Sequence, residues 1–214
     1  MKEDRELNKK KERTLKIIKK LKELFPKIKP SLNYSNNFEL LVSTILSAQC
    51  TDKMVNKVTE KLFKKYTLVN DYVNASISEF EKDIKPTGFY KNKAKNIINS
   101  AKIIKEKYGG NVPNTMSDLL TLPGVARKTA NIVIYLCYGK TEGVAVDTHV
   151  KRLSKVLGLS KNDNPEKIEK DLMEVLPRSE WMDFTFRLVD YGRKYCPAKK
   201  HDHKNCPLTK KDLY

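Results

Sequence analysis

Two side chains stand out as able to do chemistry, an amine at Lys128 and a carboxylate at Asp147, both within TLPGVARKTANIVIYLCYGKTEGVAVDTHV at residues 121–150. Lys128 follows Arg127 near the start of a helical pattern, so a cationic neighbour and the positive end of the helix dipole both favour its neutral amine. Only a neutral amine attacks a carbon centre, which makes Lys128 a candidate Schiff-base nucleophile. Asp147 comes directly before the helical pattern Val150, Leu153, Val156, Leu157, where it is suited to be an N-cap. A carboxylate held by backbone donors stays ionised and can face a developing cation. Each has a plainer alternative. Lys128 could serve only as a phosphate contact, and Asp147 only as a cap worth ~1 kcal/mol.

These residues need elements to carry them. Pro123 and Gly124 interrupt the preceding helical turn, and glycine tolerates the positive φ of a sharp reversal. From Val125 the pattern Ala130, Ile132, Val133, Leu136 predicts a helix with Lys128 about one turn in, stopped by Gly139. The prediction is helix, hairpin, helix, with unpaired amides at the turn and at the second helix's start facing outward. Such a turn binds anions, and a DNA phosphate is the natural one. Leu122, Gly124, Val125, Ala126 and Arg127 are the expected contact stretch. Residues 143–146, Gly-Val-Ala-Val, then form an extended apolar run delivering Asp147.

The remaining pattern is helical. Residues 1–29 predict a lysine-rich helix ending before Pro26, with Leu15, Ile18, Leu21 and Leu24 or Phe25 on one face. Phe38, Leu41, Val42, Ile45 and Leu46 trace a core stripe. Thr51 or Asp52 caps the next helix, which buries Val55, Val58 and Leu62. Short segments at 69–74 and 78–84 lead to a Pro86-Thr87-Gly88 turn. A long helix follows, carrying Ala94, Ile97, Ile98, Ala101, Ile104 and Tyr108 and ended by Gly109-Gly110. Thr115 and Asp118 suggest a capping box. Asn164-Pro165 opens another helix, and Trp181, Phe184, Leu188 and Tyr191 are spaced as core side chains of a last one. With no strand pattern, the fold class is all-α.

A formal net charge of +17, from 43 basic and 26 acidic side chains, favours a polyanionic partner, although a generally lysine-rich surface explains part of it. The opening residues MKEDRELNKKKERT lack the apolar core of a secretory signal, and no run is long enough to span a bilayer. The expectation is an intracellular protein, cytoplasmic or nucleoid-associated, with no membrane partner. Cys50, Cys137, Cys196 and Cys206 are then expected to stay reduced.

LPGVARKTAN followed by VAVDTH resembles the endonuclease III family of helix-hairpin-helix DNA glycosylases. FELLVSTILSAQCTD at 38–52 and TGFYKNKAKNI at 87–97 are similar to that family's first core helix and its next DNA-facing loop, in the same order. The resemblance implies two helical domains, residues 30–141 and residues 1–29 with 142–214, and a DNA cleft between them. It implies a monomeric base-excision enzyme that removes damaged, oxidised pyrimidines from double-stranded DNA and cleaves abasic sites by β-elimination. Lys128 and Asp147 would be its catalytic pair. Gln49 would fill the space left by the flipped base, Phe89 would wedge beside the orphaned base although that position is usually aliphatic, and Gly88 and Lys93 would lie in the same DNA-facing loop. Plainer alternatives are a helix-end cap for Gln49 and a buried anchor for Phe89. A glycosylase for mismatched uracil or thymine or for another damaged base, or a non-catalytic DNA-binding protein, are the competing functions.

The family ends with four cysteines, separated by six, two and five residues, that hold a [4Fe–4S] cluster. Counting from Tyr191-Gly192-Arg193, this chain has Cys196, His203, Cys206 and Asp212 at those places. Two thiolates are missing, which argues against an ordinary cluster. Three readings are open: no metal, which is favoured; zinc held by Cys196 and Cys206 with His201 or His203; or a mixed-ligand cluster. No cofactor is expected for catalysis. Lys199 and Lys200 fall in the loop that meets DNA phosphates in the family.

Overall fold

The computed structural model describes residues 2–28 and 30–209. These residues form α-helices and three short 3-10 turns with no strand among them, as the all-α expectation requires. The chain divides into two compact units, Pro30–Lys140 and a second made of Met1–Lys29 with Thr141–Tyr214.

The Pro30–Lys140 unit is built on α2 (Asn37–Leu46), in which every residue from Phe38 to Leu46 is buried. A helix buried on all sides has to be surrounded, and α2 is, by α3 (Asp52–Lys65), α6 (Tyr90–Tyr108) and α8 (Arg127–Tyr138). The short α4 (Val69–Val73) and α5 (Ile77–Ile84) pack on α6 and complete the core with Tyr72, Phe80 and Ile84. Phe38 and Tyr72 meet edge to face with ring centroids 5.0 Å apart, and Tyr66 and Phe80 do so at 5.2 Å. The predicted stops are in place: α6 ends at Gly109 (φ 58°) and α8 at Gly139 (φ 65°), both left-handed. Thr115 caps α7 (Met116–Leu120) by accepting from the Asp118 amide at 3.2 Å.

In the other unit α1 (Lys2–Leu24) packs on α10 (Pro165–Val175) and α11 (Trp181–Lys194), and α11 also packs on α9 (Thr148–Val156). The buried face of α1 is Thr14, Ile17, Ile18 and Leu21, whereas Leu15 is 52% exposed. The expected stripe is thus corrected by one helical step, because Ile17 and not Leu15 lies beside Ile18 and Leu21. Two arginines sew distant segments together. Arg187 Nε donates to the Phe25 carbonyl at 3.2 Å, and Arg13 Nη2 donates to the carbonyls of Leu157 and Gly158 at 2.9 and 2.8 Å. No helix among the described residues is long and apolar enough to cross a membrane.

Candidate active site and nucleic-acid interface

Between α7 and α8 the chain reverses at Pro123-Gly124, with Gly124 at φ 81°. Leu122 and Val125 are buried, and the Val125 amide donates to the Leu122 carbonyl at 3.1 Å, closing the turn. Their side chains anchor the hairpin, so any contact they make with a partner is through the backbone. Gly124 and Ala126 between and after them are exposed. The hairpin also rests on α6: Ser100 Oγ donates to the Pro123 carbonyl at 3.0 Å, and a Cβ on Gly124 would stand 2.9 Å from Asn96 Nδ2.

The helix begins two residues later than the pattern suggests, at Arg127, which makes Lys128 the second residue of α8 and closer to its positive end than expected. Ala126 offers no side-chain cap, and no acidic residue lies in the first turn. The first-turn amides, which cannot reach an intrahelical carbonyl, therefore face outward together with cationic side chains. Lys128 is exposed and makes no ion pair or hydrogen bond among the described residues, while Arg127 is half-buried.

Asp147 lies in the other unit. The run Gly143–Val146 is buried and outside any helix, and Thr185 Oγ1 of α11 pins it by donating to the Ala145 carbonyl at 3.2 Å. Asp147 emerges half-buried as the N-cap of α9, its Oδ1 accepting from the Val150 amide at 2.8 Å. Oδ2 has no hydrogen-bond partner among the described residues. Gly192 lets α11 approach α9 closely, since a Cβ there would meet His149 Nδ1 at 2.7 Å. An isolated glycine inside the α11 pattern was the sequence signal for that approach.

Gln49 and Phe89 share a feature that sequence did not reveal: they are the described non-glycine residues with positive φ, at 52° and 47°. Such backbone costs of order 1–3 kcal/mol and persists where surrounding structure enforces it. Gln49 is exposed after the end of α2, and Phe89 is 64% exposed as the N-cap of α6, next to the exposed Gly88. The buried-anchor alternative for Phe89 is thereby removed. Lys93 is the opposite case. It was expected at the DNA face, yet it is buried, and its Nζ donates to the carbonyls of Leu46 and Thr87, each at 2.8 Å. Burial holds its amine below the ordinary lysine range. Its ammonium is committed to the two loop ends, so it supports the Gln49 and Phe89 segments from behind and does not meet a phosphate.

After α11 the chain turns through exposed Lys199 and Lys200 and brings Cys196, His201, His203 and Cys206 together, with all four donor atoms within 4.8 Å of one another. This group could hold a metal ion. His201 is its fourth member, where the family spacing pointed to Asp212; that residue lies outside the described residues. A cubane cluster gives each of its four irons a separate thiolate on its outside. Two thiols and two imidazoles aimed at one point do not fit it.

Residues 42–178, which carry the basic hairpin, match the HhH-GPD superfamily of base excision DNA repair proteins. The chain belongs to that family. It is 48% identical over 205 residues to Endonuclease III of Synechocystis sp., covering 96% of this chain and 94% of that protein. The solved structure of a non-covalent Endonuclease III–DNA complex superposes with a TM-score of 0.88 at 41% identity, over 92% of both chains. A trapped Endonuclease III–DNA covalent intermediate matches with the same TM-score and identity, over 92% of this chain and 93% of the other.

Proposed function

We propose that this chain is a DNA glycosylase with abasic-site lyase activity, acting as a monomer in base excision repair on damaged pyrimidines of duplex DNA. The observation that carries the reading is the exposed, unpaired amine of Lys128 in the first turn of an uncapped helix. Family membership and the likeness to proteins named Endonuclease III support it.

A base inside the stack is out of reach, so the nucleotide is flipped out at a cost of roughly a few kcal/mol. Gln49 fills the gap and Phe89 stacks against the base left behind. Lys128 Nζ attacks C1′ as the base departs, and Asp147 stabilises the cationic sugar and takes up the proton the amine must lose. The C1′–O4′ bond then breaks, O4′ takes a proton and stays on the sugar as the C4′ hydroxyl, and C1′ is left as a protonated imine of Lys128; the imine acidifies the C2′ proton, whose removal expels the 3′ phosphate. The hairpin amides with Arg127, and the loop with Lys199 and Lys200, contact the phosphate backbone. None of these steps requires a cofactor. The substrate places the protein wherever the chromosome is.

Borohydride reduces an imine to a stable amine, so it is expected to trap a covalent adduct between the protein and an abasic-site duplex, and Lys128→Gln is expected to form none. A trapped adduct in that variant would overturn the role given to Lys128. Binding without strand cleavage on duplexes carrying an abasic site, thymine glycol, uracil or 8-oxoguanine would leave only a DNA-binding protein.

A further inference from the structure

We propose that Cys196, His201, His203 and Cys206 form a closed four-ligand zinc site, in the place where relatives of this chain would carry an iron–sulfur cluster.

The donor separations match one ion. Tetrahedral zinc with Zn–S of about 2.3 Å and Zn–N of about 2.0 Å holds sulfur and nitrogen about 3.6 Å apart. Here Cys196 Sγ is 3.6 Å from His203 Nδ1, Cys206 Sγ is 3.3 Å from His201 Nε2, and Cys206 Sγ is 4.0 Å from His203 Nδ1. The sequence form is C-x4-H-x-H-x2-C, with ligands close enough in the chain for one short loop and its 3-10 turn (His203–Asn205) to wrap the ion.

A second observation concerns the outer contacts. His201 Nδ1 lies 2.8 Å from the Lys199 carbonyl, which can only accept, so Nδ1 carries the proton and Nε2 turns its lone pair towards the sulfurs. Metal-bound histidines are oriented in this way. Arg152 reaches the same point from α9: Nη2 donates to the Cys196 carbonyl at 2.5 Å, and Nη1 lies 3.7 Å from its sulfur. Both cysteines are fully enclosed in the core around Tyr191 and Leu208, whereas His203 is exposed and closes the outer side. Two thiolates and two imidazoles at tetrahedral spacing select zinc among common cellular metals, and four protein ligands leave no open position for catalysis. The ion would therefore be structural, fixing the loop that carries Lys199 and Lys200.

The test uses the full chain, purified without a metal-affinity tag from cells supplied with both iron and zinc. Elemental analysis is expected to give about 1 zinc per chain and no acid-labile sulfide. Replacing zinc by cobalt(II) should yield the intense visible bands of a tetrahedral thiolate site. Cys206→Ser and His201→Ala should each retain less than about a tenth of the zinc, and circular dichroism separates this loss from unfolding. Stoichiometric iron with sulfide, a metal-free protein, or a Cys196–Cys206 disulfide in protein isolated anaerobically would each overturn the proposal.

Discussion

Lys93 Nζ donates to the carbonyl of Leu46 at 2.8 Å, across 47 positions of sequence, and by a second bond of equal length to Thr87. One buried amine thus ties the end of α2, which leads into Gln49, to the turn that leads into Phe89. Lys93→Met keeps the length of the side chain and leaves two buried carbonyls without a donor. We expect a loss of about 1–3 kcal/mol in urea unfolding, together with weaker binding to an abasic-site duplex at temperatures where the variant is folded. Unchanged affinity in folded protein would mean that the two loops hold their shape without it.

Phe89 is expected to behave differently. It is 64% exposed, so Phe89→Ala should shift stability by no more than about 0.5 kcal/mol. Binding to a lesion in duplex DNA should nevertheless weaken more than binding to the same lesion in a single strand, because only the duplex has an orphaned base to stack against. Equal losses on both would remove the wedge role.

Asp147 combines a cap with a proposed catalytic charge, and asparagine separates the two. Asn accepts from a backbone amide as well as aspartate does, so Asp147→Asn should melt within a few tenths of a kcal/mol of the parent, whereas Asp147→Ala should lose about 1 kcal/mol. Both should lose most base-release turnover. Retention of turnover in Asp147→Asn would reduce Asp147 to a cap.

Gly124→Ala tests the hairpin. At φ 81° a Cβ is strained, and it would also stand 2.9 Å from Asn96 Nδ2. Moving the hairpin off α6 should cost about 1–2 kcal/mol and make the dependence of DNA affinity on salt shallower, since fewer phosphates would be engaged. Fluorescence anisotropy across a salt series reads this directly.

Burial pushes the Cys137 thiol up to about 12, from the ordinary 9.0. In the folded protein it should resist iodoacetamide at pH 8 and react once urea unfolds the chain. Because the folded value is the higher one, the unfolded chain loses its proton first as pH rises. The stabilisation is complete below pH 9.0 and is lost progressively towards pH 12.

Helix identity was legible because it depends on local spacing. The Phe38–Leu46 stripe, the caps at Thr51, Thr115, Asp147 and Asn164 and the stops at Gly109 and Gly139 all rest on the geometry of a single turn, and each is where the pattern put it. The hairpin was legible for the same reason, since Pro-Gly between helical runs leaves few backbone choices.

Contacts between segments far apart in the chain were not legible, because no local pattern encodes them. Leu15 and Ile17 have similar local claims to the inner face of α1, and packing in its own unit decided for Ile17. A lysine in a basic loop reads as a phosphate ligand, and only the convergence of Leu46 and Thr87 on Lys93 showed its amine turned inward. Family spacing singled out His203, and His201 stood only as its alternative, yet the loop closure brings both imidazoles to the two sulfurs at once. Residue types set what chemistry this chain could attempt. Which atoms meet, and which charge is left facing outward, was fixed by long-range packing, where burial and hydrogen-bond satisfaction outweigh local preference.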